Sequence, residues 1–220
     1  MNIAENILKN SLKNVYFLAG PAMAGKTTMS GVLKEKYGFI HFNDNWHEDS
    51  FHVWTSLIDE KYQKNAFARG KLTNEEYFDR TVEEFLAEDD YMGYNEYLEF
   101  AIIELIKLSQ NNKVVADVGF PIELLVEISD YNRIACLLVT PGLVTCETYG
   151  KREDHREFLD CILTLKDPEK KIAVQDELFR IGSEKAIEEA EKYNLFSITR
   201  TENSTVEGTL KLLEKHFQLI

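Results

Sequence analysis

The sequence predicts an α/β domain in which a parallel β-sheet is covered by helices on both faces. Short apolar runs alternate with longer helical segments, which is the pattern of β-α-β units. Only 11 of the 220 residues are glycine and 4 are proline, too few for a turn-rich all-β fold. The 44% hydrophobic and 11% aromatic content is ordinary for a globular protein and excludes disorder as the main state. We expect one domain over residues 1–220.

Five apolar runs predict the strands of this sheet. Each is short, rich in aliphatic or aromatic residues, and flanked by polar residues, glycine or proline. The predicted strands span residues 14–20, 39–42, 113–120, 133–139 and 195–199. Pro121 follows the third strand, at a position suited to the first turn of a helix.

The segments between and after the strands predict helices. They span residues 26–37, 48–111, 153–193 and 204–217. The first is stopped by Gly38, which suits the left-handed residue that follows a helix, and the third is broken near Asp167-Pro168. In the second, Thr73 and Glu76 match a capping box. A later helix of the same segment has an apolar face formed by Leu98, Ile102, Leu105 and Ile106.

Charge and cysteine content limit the partners and the compartment. With 25 basic and 38 acidic residues the net charge is −13, which disfavours a dedicated nucleic-acid binder. Cys136, Cys146 and Cys161 show no CxxC spacing, which argues against zinc and disulfide frameworks. No apolar run approaches the roughly 20 residues that span a bilayer. We therefore expect a cytoplasmic monomer or homodimer that binds neither nucleic acid nor membrane.

A glycine-rich turn between the first strand and the first helix predicts a phosphate-binding loop. Residues 20–28 fit G-x-x-x-x-G-K-[ST], the Walker A pattern, in the strand-to-helix context that the motif requires. Loop N–H groups and the helix N-terminus would donate to phosphate oxygens. Lys26 would reach the β- and γ-phosphates, and the Thr27 hydroxyl would bind Mg²⁺. The residues predicted to hold the phosphates are Gly20, Ala22, Met23, Ala24, Gly25, Lys26, Thr27 and Thr28.

Asp117 is the candidate for the second part of such a site. The run Val114-Val115-Ala116-Asp117 places a carboxylate at the carboxyl end of a buried strand, where open α/β sheets bind their ligands. Asp117 would hold Mg²⁺ directly or through a water molecule. The alternative is a turn residue at the edge of the sheet.

The order and spacing of these features resemble the P-loop small-molecule kinases. This nucleoside-monophosphate-kinase-like group includes adenylate, shikimate and gluconate kinases, chloramphenicol phosphotransferase and zeta-type toxins. The resemblance covers most of the chain, from Gly20–Thr28 through Asp44, a helical insertion and Asp117 to a basic segment. It implies a P-loop NTPase fold with a five-strand parallel sheet in the order 2-3-1-4-5. It also implies a helical substrate region at about 48–111, a lid at about 148–168, and ATP and Mg²⁺ as cofactors.

The resemblance assigns roles to residues outside the loop. Arg152 and Arg156 are four apart, so on a helix they would share a face and clamp the transferring phosphoryl group. The alternative is an exposed face with i,i+4 ion pairs. Asp44 would accept or orient the proton of the acceptor hydroxyl, although Asn-Asp-Asn is also ordinary turn chemistry. Arg200, in the turn after the fifth strand, would stack on adenine or lie in solvent.

The absence of several family motifs narrows the kinds of P-loop protein that the chain could be. The chain lacks the [NT]-K-x-D motif of GTPases, the Asp-Arg-[Tyr/Phe/His] motif of thymidylate kinases and the three-glycine run of shikimate kinases. The first hypothesis is an ATP-dependent kinase that acts on a hydroxyl, or a phosphate, of a small metabolite or nucleoside-type acceptor. The alternatives are a nucleotide-binding switch that signals through residues 48–111 and a toxin-like kinase of a cell-wall sugar nucleotide. Clustered arginines favour a kinase, because a switch needs no clamp on an acceptor phosphate.

Overall fold

A computed structural model describes residues 7–43, 72–87 and 94–220 of the chain. The strands are β1 (Val15–Ala19), β2 (Ile40–Asn43), β3 (Val114–Asp117), β4 (Ile134–Val139) and β5 (Ser197–Arg200). The helices are α1 (Ile7–Ser11), α2 (Lys26–Tyr37), α3 (Asn74–Phe78), α4 (Val82–Ala87), α5 (Tyr94–Ser109), α6 (Ile122–Ile128), α7 (Cys146–Gly150), α8 (Arg156–Leu163), α9 (Pro168–Lys192) and α10 (Val206–His216). In the described part of the chain, no helix combines the length and the apolar character needed to cross a membrane.

The five strands form one parallel sheet in the order β2-β3-β1-β4-β5. This confirms the predicted fold class and strand order. Leu18 and Asn43 both lie in register with Asp117, so the carboxyl ends of β1, β2 and β3 meet at one edge. That edge is where an open α/β sheet presents its ligand site.

Helices cover both faces of the sheet. On one face, called the α9 face here, α5, α6 and the last turns of α9 pack against strand residues such as Phe17 and Ala116. On the other, the α2 face, α2 and α10 pack against Leu18, Val115 and Leu137. Successive strand residues point to opposite faces. Burial on both sides therefore explains the continuous apolar runs of β1, β3 and β4.

Several predicted helix ends are confirmed. The helix that begins at Lys26 ends before Gly38, whose φ is 69°. The capping box of Thr73 and Glu76 is present at the start of α3. Asp167-Pro168 marks the start of α9.

The segment after β4 differs from the prediction. The sequence does not predict α7, because Cys-Glu-Thr-Tyr-Gly contains no helical repeat of apolar residues. Residues 153–193 are helical and contain the predicted break near Asp167-Pro168. A 3-10 turn (Glu153–His155) precedes α8, and Asp167, with φ 50°, separates α8 from α9. Pro121 stands at the N-cap of α6, one residue before the helix that it was expected to open.

Candidate functional site

The turn between β1 and α2 has the backbone of an anion cradle. Gly20 has a φ of 127° and Gly25 one of 95°, values in the region that favours glycine, and Met23 has a φ of 60°. Gly20 also lies against β4, where an added Cβ atom would stand 1.8 Å from the Leu137 carbonyl oxygen. At Gly25 such an atom would meet nothing within 4 Å. Gly20 is therefore required by both conformation and space, and Gly25 by conformation alone.

Lys26, the first residue of α2, folds back over this turn. Its ammonium donates to the carbonyl oxygens of Gly20 and Pro21, both at 3.0 Å. These two bonds fix a positive charge beside the loop, where the N-terminus of α2 adds its partial charge. The loop thus supplies the local positive charge that an anionic ligand needs in a chain of net charge −13.

A cavity of about 290 Å³, called the phosphate cavity here, opens over the loop. Its walls come from the loop and the first turn of α2, from the ends of β2 and β3, and from α7 with the segment that follows it. The lining residues are Ala22, Met23, Gly25, Lys26, Thr27, Thr28, Asn43, Asp117, Tyr149, Arg152 and His155. The structure therefore brings together the loop, Asp117 and Arg152, which are far apart in the sequence.

Asp117 and Thr27 form a donor set that fits Mg²⁺. Asp117 ends β3 and is only 3% exposed, and both residues line the phosphate cavity. Carboxylate and hydroxyl oxygens are the ligands that Mg²⁺ prefers, and this ion commonly takes few of them from protein. Within the described ranges, no group of three or more His, Cys, Asp or Glu could hold a metal ion. A site with two protein ligands, completed by phosphates and water, suits the residues that are present.

His41 is the close neighbour of this carboxylate. Its Nε2 atom lies 3.7 Å from Oδ2 of Asp117. That nitrogen is buried and makes no hydrogen bond with the described residues. His41 lies on β2, two residues before Asn43, so β2 supplies two polar neighbours of Asp117 at this edge.

Arg152 contacts the phosphate loop across a long sequence distance. Its guanidinium lies 3.4 Å from the sulfur of Met23. Arg152 precedes the 3-10 turn in an extended conformation, whereas Arg156 begins α8. The prediction that the two arginines share one helix face is therefore wrong. Arg152 is half-buried and lines the phosphate cavity, and Arg156 is exposed and is not among its lining residues.

The segment that carries Arg152 packs against α9 and is hydrogen-bonded to it. The carboxylate of Asp176 accepts a hydrogen bond of 2.6 Å from the backbone N–H of Cys146, at the start of α7. Tyr149 stacks on His155 with ring centroids 4.1 Å apart and an interplanar angle of 10°. The Tyr149 ring also contacts Phe179 of α9 at 5.2 Å. One helix thus fixes both the backbone and the aromatic side chains of this wall.

The same helix holds α3 through a buried lysine. Lys171 is 3% exposed, and its ammonium donates to Glu75 at 2.7 Å, to Asp79 at 2.5 Å and to the Lys166 carbonyl at 2.8 Å. The hydrogen bond from Lys171 lowers the pKa of each carboxyl group, and those to Asp79 and Glu75 raise the pKa of Lys171. All three donor positions of the ammonium are satisfied, so its burial is compensated.

A smaller cavity of about 170 Å³, called the α10 cavity here, adjoins the phosphate cavity on the α2 face. Gly25 and Thr28 line both cavities. Its lining residues are Ala24, Gly25, Thr28, Met29, Leu137, Ile198, Arg200, Ser204, Thr205, Val206 and Thr209. It therefore contains Arg200 but no residue of the predicted lid, 148–168. Arg200 is the last residue of β5, not a residue of the turn after it as predicted. Arg200 also donates to the Met23 carbonyl, so it is tied to the phosphate loop.

Sequence reasoning and structure differ for a few site residues. Asp44, the predicted acceptor base, lies outside the described residues. Gly20 belongs to the loop but lines a different cavity. The sequence predicts no individual role for Asn43, Tyr149 or His155, although Tyr149 and His155 lie in the predicted lid at about 148–168. Asn43 could have been found from its place at the end of β2, in register with Asp117. Tyr149 and His155 flank Arg152 in the predicted lid segment, and packing of the Tyr149 ring on Phe179 of α9 holds them at the cavity.

The chain is similar to known proteins in structure but matches none of the compared proteins in sequence. No family model matches the chain, and no curated protein matches its sequence. Similar structures, each covering 93% of this chain, are small-molecule kinases of the group that the sequence resembles.

Two of these structures are shikimate kinases and one is a dephospho-CoA kinase. The shikimate kinase from Acinetobacter baumannii, in complex with shikimate, is 18% identical, has a TM-score of 0.45 and is covered over 91% of its chain. The one from Bacteroides thetaiotaomicron is 17% identical, with a TM-score of 0.41 and 98% coverage. The dephospho-CoA kinase from Campylobacter jejuni is 14% identical, with a TM-score of 0.40 and 96% coverage. At these values the likenesses do not decide the activity of this chain, which must come from its own residues.

Proposed function

We propose that the chain is an ATP-dependent phosphotransferase that moves the γ-phosphoryl group to a hydroxyl, or a phosphate, of a small acceptor. The phosphate cavity is the observation that carries this proposal. In it a loop lysine, a buried carboxylate and an arginine from a distant segment surround one space of about 290 Å³. A glycine-rich turn that binds no ligand would need none of these three groups.

The nucleotide would occupy two adjoining cavities. Its phosphates meet the loop N–H groups, the N-terminus of α2 and the Lys26 ammonium in the phosphate cavity. Its base reaches the α10 cavity, because Gly25 and Thr28 line both spaces. Aliphatic Met29 and Ile198 suit the faces of a base, and the hydroxyls of Ser204 and Thr205 suit its polar edge.

Asp117 and Thr27 would hold Mg²⁺ at the end of β3. When bound, this ion neutralises charge on the β- and γ-phosphates. The burial of Asp117 strengthens its interaction with a cation, since water screens it less there. Its placement at the sheet edge brings it next to the loop without any movement of β3.

The transfer itself requires an acceptor oxygen, a leaving group and a base. The acceptor oxygen bonds to the γ-phosphorus while the bond from that phosphorus to the β–γ bridging oxygen breaks, and ADP leaves. Asp44, which follows Asn43 in the sequence, would take the hydroxyl proton. Arg152 would donate to the equatorial oxygens of the γ-phosphoryl group, where transition-state charge accumulates. Arg156, exposed at the start of α8, would support this charge from a greater distance.

Turnover with a panel of acceptors tests this proposal. The protein is incubated with Mg·ATP and, separately, with nucleosides, nucleoside monophosphates, sugars and sugar nucleotides, and ADP release is followed. At least one class should raise the rate above that without acceptor. Asp117→Asn should abolish the increase, because it keeps the shape of the side chain and removes its charge. Asp130→Asn is the matched control, since Asp130 is exposed and lines none of the described cavities.

Two outcomes would contradict the proposal. Tight Mg·ATP binding without acceptor-stimulated ADP release in any class would favour the nucleotide-binding switch. Equal turnover of Asp117→Asn and the parent would show that the Asp117 carboxylate is not needed to hold Mg²⁺ for phosphoryl transfer. Stimulation by sugar nucleotides alone would support the kinase and select the toxin-like acceptor class.

A further inference from the structure

A further cavity lies on the α9 face of the sheet, behind the phosphate loop. Its volume is about 290 Å³, and its walls come from the start of the loop, the β3–α6 turn, β4 and α9. The floor is apolar and includes Phe120, Ile122, Cys136 and Leu138. Among the described residues, none that lines this space lines the phosphate cavity or the α10 cavity. We call it the α9 cavity.

The α9 cavity carries two opposite charges on its helical wall. Lys185 and Glu189 both line it and are four residues apart on α9, so they lie one turn apart on the same face. Lys185 is exposed, whereas Glu189 is half-buried. Burial raises the pKa of the Cys136 thiol to about 12, and the negative charge of Glu189 contributes. The Glu189 carboxylate therefore lies close to the apolar floor.

The α9 cavity also touches the residues that hold the loop lysine. Gly20 and Pro21 line it, and their carbonyl oxygens accept the two 3.0 Å hydrogen bonds from Lys26. A ligand packed against these two residues restricts their movement and so biases the position of the ammonium. By thermodynamic linkage, that ligand and the nucleotide must change each other's affinity by the same factor.

We propose that the α9 cavity binds a small zwitterion with an apolar body, the class of the apolar amino acids, and that its occupancy modulates nucleotide binding. The ligand ammonium would pair with Glu189 and its carboxylate with Lys185, while the apolar body covers the floor. The volume lies just below the 300–1,000 Å³ range of drug-sized pockets, which suits a molecule of amino-acid size. The effect on nucleotide binding rests on the proposed function as an ATP-dependent phosphotransferase, whereas binding of the zwitterion does not.

Gly182 offers a way to fill the α9 cavity. It lines the space from within α9, and an added Cβ atom meets nothing within 4 Å. Gly182→Leu therefore adds a side chain at the wall without backbone strain. Gly31→Leu is the matched control, because Gly31 is also helical, has an equally open Cβ direction and lines none of the described cavities. Each variant and the parent are titrated with L-leucine and L-phenylalanine by calorimetry.

The parent and Gly31→Leu should bind at least one of these amino acids with equal affinity. Gly182→Leu should bind it at least about tenfold more weakly, since the space is filled. Glu189→Gln keeps the side-chain shape and should weaken binding by about two- to fivefold, the effect expected of a partly exposed charge contact. Absence of binding to the parent at about 10 mM amino acid, or unchanged binding by Gly182→Leu, overturns the site.

The coupling is measured by titrating Mg·ATP with and without saturating amino acid. The affinity of the parent for Mg·ATP should change by about fivefold or more, and that of Gly182→Leu should not change. An unchanged affinity while the amino acid is bound overturns the modulation. Intact ATP binding without amino-acid binding overturns the site and leaves the proposed function standing. Loss of ATP binding alone would instead contradict the proposed function.

Discussion

The phosphate loop and the segment from α7 to the 3-10 turn form two walls of one cavity, but they are held in different ways. The loop is shaped mainly by its own backbone, although Arg200 also donates to its Met23 carbonyl. Gly20 and Gly25 have positive φ angles, and Lys26 bonds to carbonyls only six and five residues before it. The other wall depends on α9, which is far from it in sequence. Asp176 holds the first N–H of α7 from 30 residues away.

This difference separates what is intrinsic to a motif from what the whole fold supplies. A wall built from local backbone geometry keeps its shape when distant packing changes, as long as its strand and helix survive. A wall held by single side chains from another helix can shift when one of them is lost. Nucleotide binding should therefore be the robust property of the site, and positioning of the arginine the sensitive one.

The largest effect is expected at Gly20. In Gly20→Ala the new Cβ atom would overlap the Leu137 carbonyl oxygen, so the contact between β1 and β4 must shift. The free energy of unfolding, measured with urea, should fall by about 3 kcal/mol. In Gly25→Ala the Cβ atom meets nothing, and the left-handed conformation alone costs about 1–2 kcal/mol. Equal costs for the two variants would contradict the steric explanation.

Removal of the arginine should act on turnover rather than on binding. Arg152→Ala should lower kcat about 100-fold in the acceptor assay, because a donor to the transferring group is lost. Its dissociation constant for Mg·ATP should change far less. Arg156→Ala is the internal comparison and should keep kcat within about threefold of the parent, since this side chain is exposed. A larger loss of kcat in Arg156→Ala than in Arg152→Ala would mean that Arg156, not Arg152, donates to the transferring phosphoryl group.

Loss of the hydrogen bond between Asp176 of α9 and the start of α7 should also lower kcat, but by less than loss of Arg152. Asp176→Ala leaves the Cys146 N–H without its acceptor and should lower kcat about tenfold through misplacement of the wall that carries Arg152. Mg·ATP affinity should stay at the parental value because the loop is held locally. Asp176→Asn retains an acceptor oxygen and should recover most of the activity. Equal losses in the two variants would show that charge, not the hydrogen bond, is important there.

Low pH should weaken the packing of α3 on α9 more than it weakens the phosphate loop. This effect on stability should be smaller than those of the substitutions above. Lys171 lowers the pKa of Glu75 and Asp79, so their stabilising contribution is present above their ordinary values of 4.5 and 3.8. It is lost as the pH falls through the lower values of the folded state. The raised pKa of Lys171 adds stability below 10.5 that is lost as the pH rises through the folded-state value.

Hydrogen exchange, corrected for the intrinsic rate, can separate the two regions. Protection of α3 amides should decrease as the pH falls below about 4, while protection at the start of α2 should not. Parallel losses of protection in both helices would indicate global unfolding instead of local loosening.

The same distinction explains what could be predicted from the sequence. The strands, the loop and Asp117 follow from short-range patterns, since alternation of apolar runs and the G-x-x-x-x-G-K-[ST] spacing are local properties. The strand order is a long-range property and followed only from the resemblance to P-loop kinases. The helix α7, the arrangement of Arg152 and Arg156, and the presence of Tyr149 in the site do not. α7 is bound at its first N–H by Asp176, and Tyr149 is held against Phe179, so both depend on side chains of α9 that lie about 30 residues away. A four-residue spacing indicates a shared face only where the helix is continuous, and the 3-10 turn interrupts it.

The most direct test of the central claim, that residues 20–28 bind the phosphates of ATP, is calorimetric titration of Lys26→Ala with Mg·ATP. The loss of the ammonium removes the charge fixed beside the loop, while Lys34→Ala removes an exposed lysine from the far end of the same helix. Lys26→Ala should bind Mg·ATP at least about 100-fold more weakly than the parent, with its fold retained, and Lys34→Ala should bind it equally well. Equal affinity of Lys26→Ala and the parent would mean that residues 20–28 do not bind the phosphates of ATP.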